Sequence, residues 1–156
     1  MTLPRIVVFA LAFLTMTCDR PKPGTRDNAS LYTSPTTGFS FTLPVAWAGH
    51  YRVERPDPAG NLPPAIDVVE FVYPPIDSTI APQVVFRVVV FTREQWDKLN
   101  AEAGPPYGWE LGQKEGKVWV GGLPQSNPFV PGSADADQFD QMQISESQVS
   151  AGFHLP

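Results

Sequence analysis

Several stretches of the chain are either alternately apolar and polar or almost continuously apolar, and both patterns predict strands. Phe39, Phe41 and Leu43 alternate with serine and threonine, so one face of this stretch is apolar. Residues 66–73, IDVVEFVY, form a second apolar stretch that ends at two prolines. Residues 83–91, QVVFRVVVF, are apolar on both faces. A strand of that kind belongs in the middle of a sheet that is covered on both sides.

The spacing of apolar residues changes directly after this strand and predicts one amphipathic helix. Thr92 and Gln95 have the spacing of a capping box, and Phe91 and Trp96 lie where a hydrophobic staple forms. Gly104, followed by two prolines, ends the helical pattern. The helix is therefore expected to pack on the sheet through the face that carries its tryptophan.

Two further helix starts are predicted near the end of the chain. Ser133 or Asp135 is placed to cap a short helix, and Ser145 with Gln148 forms a second capping box. The apolar residues that follow each cap are few. Short helical turns are therefore expected here, rather than long helices.

A hairpin completes the predicted elements. Residues 109–120 contain two apolar stretches with Glu115 and Gly116 near the turn. Strands, one helix, a hairpin and terminal helical turns predict an α+β fold. We expect an antiparallel β-sheet with one amphipathic helix and short C-terminal helical turns packed on it, in a single domain over residues 31–156.

The N-terminal residues have the composition of an export signal followed by a tether. Residues 1–17 contain Arg5 and then an apolar run from Ile6 to Met16. That run is shorter than the about 20 residues that cross a bilayer and is typical of a signal peptide; a buried N-terminal helix or strand is the alternative. Residues 18–30 are polar and rich in proline and charge, which predicts a disordered tether.

Cys18 is the only cysteine of the chain and follows the apolar run. Residues 14–18, LTMTC, resemble the lipobox of bacterial lipoproteins, with the leucine one place further upstream. The resemblance implies cleavage before Cys18, a lipid anchor on its sulfur, and a position on a bacterial membrane facing the periplasm or the cell exterior. Ordinary signal-peptidase cleavage nearby, which would leave a free thiol, is the alternative.

A second resemblance covers the start of the domain. The stretch YTSPTTGFSFTLPVAW is similar to the opening of extracytoplasmic PsbP/Mog1-like domains, in which a Gly-Phe-x-Phe strand runs into a proline and then a tryptophan. The residues that carry the likeness are Gly38, Phe39, Phe41, Pro44 and Trp47. Together with the lipobox, it implies a small extracytoplasmic lipoprotein.

Charge excludes one class of partner. Removal of residues 1–17 takes away Arg5 and no acid, which leaves 10 basic and 16 acidic side chains and a formal net charge of −6. Nucleic-acid binding depends on neutralising phosphates with clustered basic residues, so we expect no nucleic-acid partner. With a single cysteine the chain has no internal disulfide, and its core must hold the fold.

Arg87 interrupts the most apolar strand and has two interpretations. It pairs with Glu70 on a neighbouring strand, since an opposite charge offsets its desolvation, or it binds an anionic ligand in a cleft. The first interpretation is the commoner situation for an arginine in a sheet.

Two other groups of residues are candidates for a site. Asp135, Asp137 and Asp140 offer oxygen ligands to Ca²⁺, although acids at the start of a helix also stabilise it without a metal. Trp47 and Phe129 are flanked by loop residues. Among the aromatic residues, most of which are expected in the core, these two are the ones expected to be exposed and to bind a partner.

No catalytic constellation is recognisable, so the expected function is a non-enzymatic one. We expect a membrane-tethered domain that binds an envelope protein or another envelope component, without a cofactor. An envelope-acting enzyme that uses carboxylates such as Glu70, Asp135 or Asp137 is one alternative. A calcium-dependent binding module is the other.

Overall fold

The computed structural model describes residues 30–59 and 64–156. In chain order the strands are β1 Leu31–Thr33, β2 Ser40–Thr42, β3 Arg52–Glu54, β4 Asp67–Tyr73, β5 Gln83–Thr92, β6 Trp109–Lys114, β7 Lys117–Gly122 and β8 Phe153–His154. The α-helices are α1 Arg93–Ala101, α2 Ala134–Met142 and α3 Glu146–Gly152, and a 3₁₀ turn covers Val45–Trp47. The predicted α+β fold class is confirmed.

The strands form two antiparallel sheets, whereas the sequence predicted one. The larger sheet has the order β3-β4-β5-β7-β6, and the smaller has the order β1-β2-β8. Strand β5 lies in the centre of the larger sheet, as its apolar pattern predicted. Strand β8 has only two residues, Phe153 paired with Phe41 and His154 paired with Ser40. Two residues show no alternation, which explains why the second sheet was not recognisable in the sequence.

The main core fills the space between the smaller sheet and one face of the larger one. Phe71 and Phe86 stack with their ring centroids 5.8 Å apart, and Phe41 of the smaller sheet lies 5.0 Å from Phe86. Phe139 and Met142 of α2 are fully buried in the same core. The odd-numbered residues of β4 face this core, so its even-numbered residues face the opposite side of the sheet.

Helix α1 covers part of that opposite face. Its Trp96 packs in a second apolar cluster with Val68, Val89 and Phe91 of the sheet. The predicted capping box is confirmed, because the Thr92 side chain accepts from the Gln95 amide and the Gln95 side chain accepts in return. The predicted staple is also confirmed: the rings of Phe91 and Trp96 stack 6.2 Å apart.

The hairpin β6–β7 and the second capping box also form as predicted. Glu115 and Gly116 both have positive φ, 51° and 73°, the conformation of a tight two-residue hairpin turn. Ser145 caps α3 with Gln148 as the reciprocal partner, and Ser133 caps α2.

A buried carboxylate ties the β1–β2 connection to the larger sheet. Asp67 at the start of β4 is 3 % exposed. Its Oδ2 accepts from the hydroxyls of Ser34, at 3.1 Å, and Thr37, at 3.2 Å. Its Oδ1 accepts from Arg55 at 2.9 Å. Because a buried carboxylate without partners is strongly unfavourable, these donors fix the position of the connection.

The expectation that Trp47 and Phe129 are exposed is wrong. Trp47 has no exposed surface, and its Nε1–H donates to the carbonyl oxygen of Met142 at 2.7 Å. Phe129 is 7 % exposed and packs edge-on against Tyr73. Both residues are next to segments without regular secondary structure, which the sequence pattern placed at the surface. In the folded chain, α2 packs over both residues and excludes solvent.

We expect the substitution Trp47→Phe to lower the free energy of unfolding by about 1–3 kcal/mol, because it leaves the buried Met142 carbonyl without its donor and removes core volume. Val45→Ala is the matched control, since Val45 lies in the same turn and is 57 % exposed. Urea denaturation of both variants measures the difference. A Trp47→Phe protein as stable as the control would show that the indole does not anchor α2.

Candidate functional site

A cleft of about 810 Å³ opens at one end of the larger sheet. Strand β5 begins there, β6 begins beside it, and the chain leaves β7 there. The side chains that give the cleft its chemistry are Gln83, Arg87, Tyr107, Trp109, Gln125 and Glu146. Three prolines, Pro82, Pro106 and Pro124, also line it.

Arg87 is placed in this cleft by its position in the central strand. It is half-buried and points to the face of the sheet that carries Val89 and Phe91, since residues two apart in a strand share a face. Its register partners are Glu70 on β4 and Gly122 on β7. Helix α1 covers only part of this face. The guanidinium therefore lies at the end of the face that is left uncovered.

Gly122 provides the space in which the Arg87 side chain lies. A Cβ atom at this position would come within 2.7 Å of Arg87 Nε and within 3.1 Å of its Cγ. A Cβ atom essentially never lies within 3.0 Å of another side chain, so a larger residue would displace the arginine from this position. Gly122 therefore leaves the room that the observed position of the Arg87 side chain needs.

Tyr107 holds the guanidinium from the loop between α1 and β6. Arg87 Cζ lies 4.8 Å from the centre of the Tyr107 ring, within the range of a cation–π interaction. Arg87 Nη2 also donates to the Tyr107 carbonyl oxygen at 3.3 Å. The ring itself packs edge-on against Phe91 at 5.4 Å. The arginine is thus fixed by neutral groups.

The predicted ion pair between Arg87 and Glu70 is wrong. The two residues are opposite each other in register, as predicted. In the described part of the chain, however, Arg87 has no carboxylate oxygen within 4.0 Å of its nitrogens. Burial raises the pKa of Glu70, and the opposing effect of Arg87 is smaller. The guanidinium turns instead toward Tyr107 and the cleft, where its charge faces a ligand-sized space.

Trp109 lies on the face of β7 opposite to Arg87, and a glycine leaves room for its side chain too. It is the register partner of Gly121, where a Cβ atom would come within 2.8 Å of the indole ring. Adjacent glycines thus admit a tryptophan on one face of β7 and an arginine on the other. Arg87 was recognisable in the sequence as a candidate, whereas the places of Tyr107, Trp109 and Gly122 at the cleft were not. Two consecutive glycines at the end of an apolar strand were the available signal.

A second cavity of about 800 Å³ lies beyond Tyr107, at the end of α1. Lys98, Asn100 and Glu102 line it, and it shares Pro106 and Tyr107 with the first cleft. Each of its charged residues is exposed to solvent. None of its described charged side chains is half-buried as Arg87 is.

The predicted calcium ligands do not form a site. Asp135 is buried, and its oxygens accept from the Tyr73 hydroxyl at 2.6 Å and the Ile76 amide at 2.6 Å. Asp137 and Asp140 are exposed, and Asp140 accepts from Asn127 at 2.9 Å. Asp135 and Asp137 are about 200° apart around the helix axis, so their carboxylates diverge. Over residues 30–59 and 64–156, no three His, Cys, Asp or Glu side chains are grouped to hold a metal ion.

The carboxylates considered for an enzyme are also separated. Glu70 lies on the α1 face of β4, between Glu54 and Arg87 in register. Asp135 contacts Tyr73, which faces the main core on the opposite side of the same strand. A sheet therefore separates Glu70 from Asp135, and these two groups do not form a catalytic pair.

The predicted export signal and the predicted anchor at Cys18 lie outside the described residues. Within the part that is described, no helix has the length and apolarity to span a membrane. The first described residue, Ser30, is exposed and directly precedes β1.

No protein-family model, curated protein or solved structure matches the chain. The resemblances of residues 14–18 to a lipobox and of residues 38–47 to PsbP/Mog1-like domains therefore stay predictions from those residues.

We expect the phenol of Tyr73 to lose its proton only at strongly alkaline pH. Burial, with the hydrogen bond to Asp135, raises the pKa of Tyr73 from 10.0 to about 12. A group whose pKa is raised by folding stabilises the protein below its unfolded value and loses that effect as the pH passes its folded value. The free energy of unfolding should therefore fall between about pH 10 and pH 12.

Denaturation at successive pH values, with Tyr73→Phe for comparison, checks this expectation. The variant should lose less stability than the native chain over the same pH interval, because it has no phenol to ionise. Equal losses in both proteins would contradict a hydrogen bond between a neutral Tyr73 and Asp135.

Proposed function

We propose that the chain is a membrane-tethered extracytoplasmic domain with a binding role in the bacterial cell envelope, and that it binds through the cleft at Arg87. The observation that carries the proposal is the state of Arg87. It is a half-buried cation in the central strand, without a carboxylate contact in the described residues, at the wall of a cleft of about 810 Å³.

The packing around Arg87 favours a ligand-binding role over a structural one. Burial of a charge is unfavourable, and an apolar residue would pack against Gly122 and Tyr107 without that penalty. A structural ion pair with Glu70 would explain the arginine, but that contact is not formed. Among the residues that the structure describes, Arg87 donates a hydrogen bond only to the Tyr107 carbonyl oxygen, and its other N–H groups suit it to an anionic ligand in the cleft.

The tethered location is supported by the N-terminal sequence. The apolar run from Ile6 to Met16, the lone cysteine that follows it and the polar residues 19–30 occur in the order of a lipoprotein signal, anchor and tether. A domain held in this way meets its ligand at the membrane surface.

The two alternative functions have weaker support. An enzyme that works with paired carboxylates needs them about 5–10 Å apart in one cleft, and Glu70 and Asp135 face opposite sides of the sheet. A calcium module needs free carboxylate oxygens, whereas Asp135 is occupied by protein donors. The cleft at Arg87 remains the best-formed candidate for recognition.

A photo-crosslinking amino acid at Gln125, which is exposed and lines the cleft, tests the proposal in intact bacterial cells that express the full chain. We expect a discrete covalent adduct in the membrane fraction. The same probe at Gln141, which is exposed on α2 away from the cleft lining, should not give that adduct. Adding Arg87→Met to the Gln125 probe should abolish the adduct.

The anchor is checked in the same cells. The mature protein should begin at Cys18 and carry the mass of acyl chains, and Cys18→Ala should leave the membrane fraction. An adduct that persists in Arg87→Met, or that forms equally from Gln141, would contradict binding through the cleft. A membrane-bound Cys18→Ala protein would contradict the anchor.

A further inference from the structure

The charge balance of the cleft limits the charge of its ligand. Arg87 is the only basic residue among the described residues that line it. Glu146 lines the same cleft, and Glu70 lies opposite Arg87 in register. A single negative charge on the ligand is matched by Arg87, whereas a second negative charge would find no further cation among the described lining residues and would be repelled by Glu146.

The geometry of Arg87 limits the shape of the anionic group. The side chain lies against Gly122 and under the ring of Tyr107, so its position is set before a ligand binds. One of its N–H groups donates to the Tyr107 carbonyl, and a guanidinium has five N–H donors in a planar fork. A planar carboxylate matches such a fork through two parallel hydrogen bonds.

The remaining walls of the cleft favour a flat apolar group next to that carboxylate. Most are rings or compact apolar side chains, namely Pro82, Pro106, Tyr107, Trp109, Leu123 and Pro124. Rigid rings give a ligand flat contact area with little loss of conformational freedom. The amides of Gln83 and Gln125 add neutral polar contacts at the same cleft.

We propose that the cleft binds a monocarboxylate carried next to a flat apolar ring, with the carboxylate held by Arg87. This chemistry is shared by a small aryl carboxylate and by the free carboxyl terminus of a peptide that ends in an aromatic residue. The proposal rests on the proposed function, because it names the ligand class of the same cleft.

A titration with three matched probes tests the ligand class. The full mature chain, purified in detergent micelles and labelled with ¹⁵N, is titrated with phenylacetate, phenylacetamide and phenyl phosphate. We expect phenylacetate to shift the signals of Arg87 Nε–H and of the Tyr107 backbone amide, because the Tyr107 ring lies against the guanidinium. The neutral amide should bind at least about tenfold more weakly, because it lacks a charge-assisted hydrogen bond. Phenyl phosphate should also bind more weakly, because it carries a second negative charge.

Two substitutions locate the effect at Arg87. Arg87→Met keeps the length of the side chain and should weaken phenylacetate binding by about tenfold or more. Gly122→Ala keeps the charge but removes the space for the side chain, and should also weaken it. Arg52→Met is the control, since Arg52 is exposed on the edge strand β3 and pairs with Glu54. It should leave binding unchanged.

A pair of peptides distinguishes the two sources of the carboxylate. A short peptide ending in Pro-Phe with a free carboxyl terminus is compared with the same peptide amidated. Tighter binding of the free peptide than of phenylacetate assigns the site to peptide termini, and the reverse assigns it to small carboxylates. Equal binding of the free and amidated peptides, together with equal binding of phenylacetate and phenylacetamide, overturns the proposal.

Two further outcomes separate the ligand class from the proposed function. If phenyl phosphate binds more tightly than phenylacetate and depends on Arg87, the ligand class is wrong while the cleft remains the binding site. If no probe binds and the cellular adduct at Gln125 is also independent of Arg87, both the ligand class and the proposed function are wrong. The amide probe and Gly122→Ala keep the test decisive if Arg87→Met fails to fold.

Discussion

The fold depends on a central strand that is buried on both faces and yet carries a charge. Strand β5 pairs with β4 and β7 along its length, and its apolar residues form part of both hydrophobic clusters. Arg87 is the one charged residue in this strand. A charge in such a position must be supported by its surroundings, and that requirement determines the structure around it: a glycine opposite on β7, an aromatic ring above, and an open cleft at the end of the sheet.

Several buried polar residues that resemble ligands in the sequence are structural, because their burial also requires partners. Asp67 and Asp135 are both buried, and hydroxyl and amide donors from neighbouring segments surround them. With one cysteine in the chain, the connections between elements are held by such hydrogen bonds and by aromatic packing. Arg87 differs from both aspartates, because its protein contacts use only part of its hydrogen-bonding capacity.

Much of the secondary structure was predictable because it is encoded locally. The apolar stretches of β4 and β5, the capping boxes at Thr92 and Ser145, and the turn at Glu115 each involve residues that are close in the chain. The site was less predictable, because it depends on distant contacts. Arg87 meets Tyr107 and Gly122 only after the sheet has assembled. The burial of Trp47 depends on Met142, 95 residues further along.

A double-mutant cycle between Arg87 and Glu70 tests most directly whether Arg87 is held for a ligand or for the sheet. The free energy of unfolding is measured for the native chain, Arg87→Met, Glu70→Gln and the double variant. Because the two charged groups do not make contact and interact only through the attraction that lowers the raised pKa of Glu70, we predict a coupling energy below about 1 kcal/mol. A coupling energy above about 1 kcal/mol, as for residues in contact, would show that Arg87 is a structural partner of Glu70 and would contradict the account.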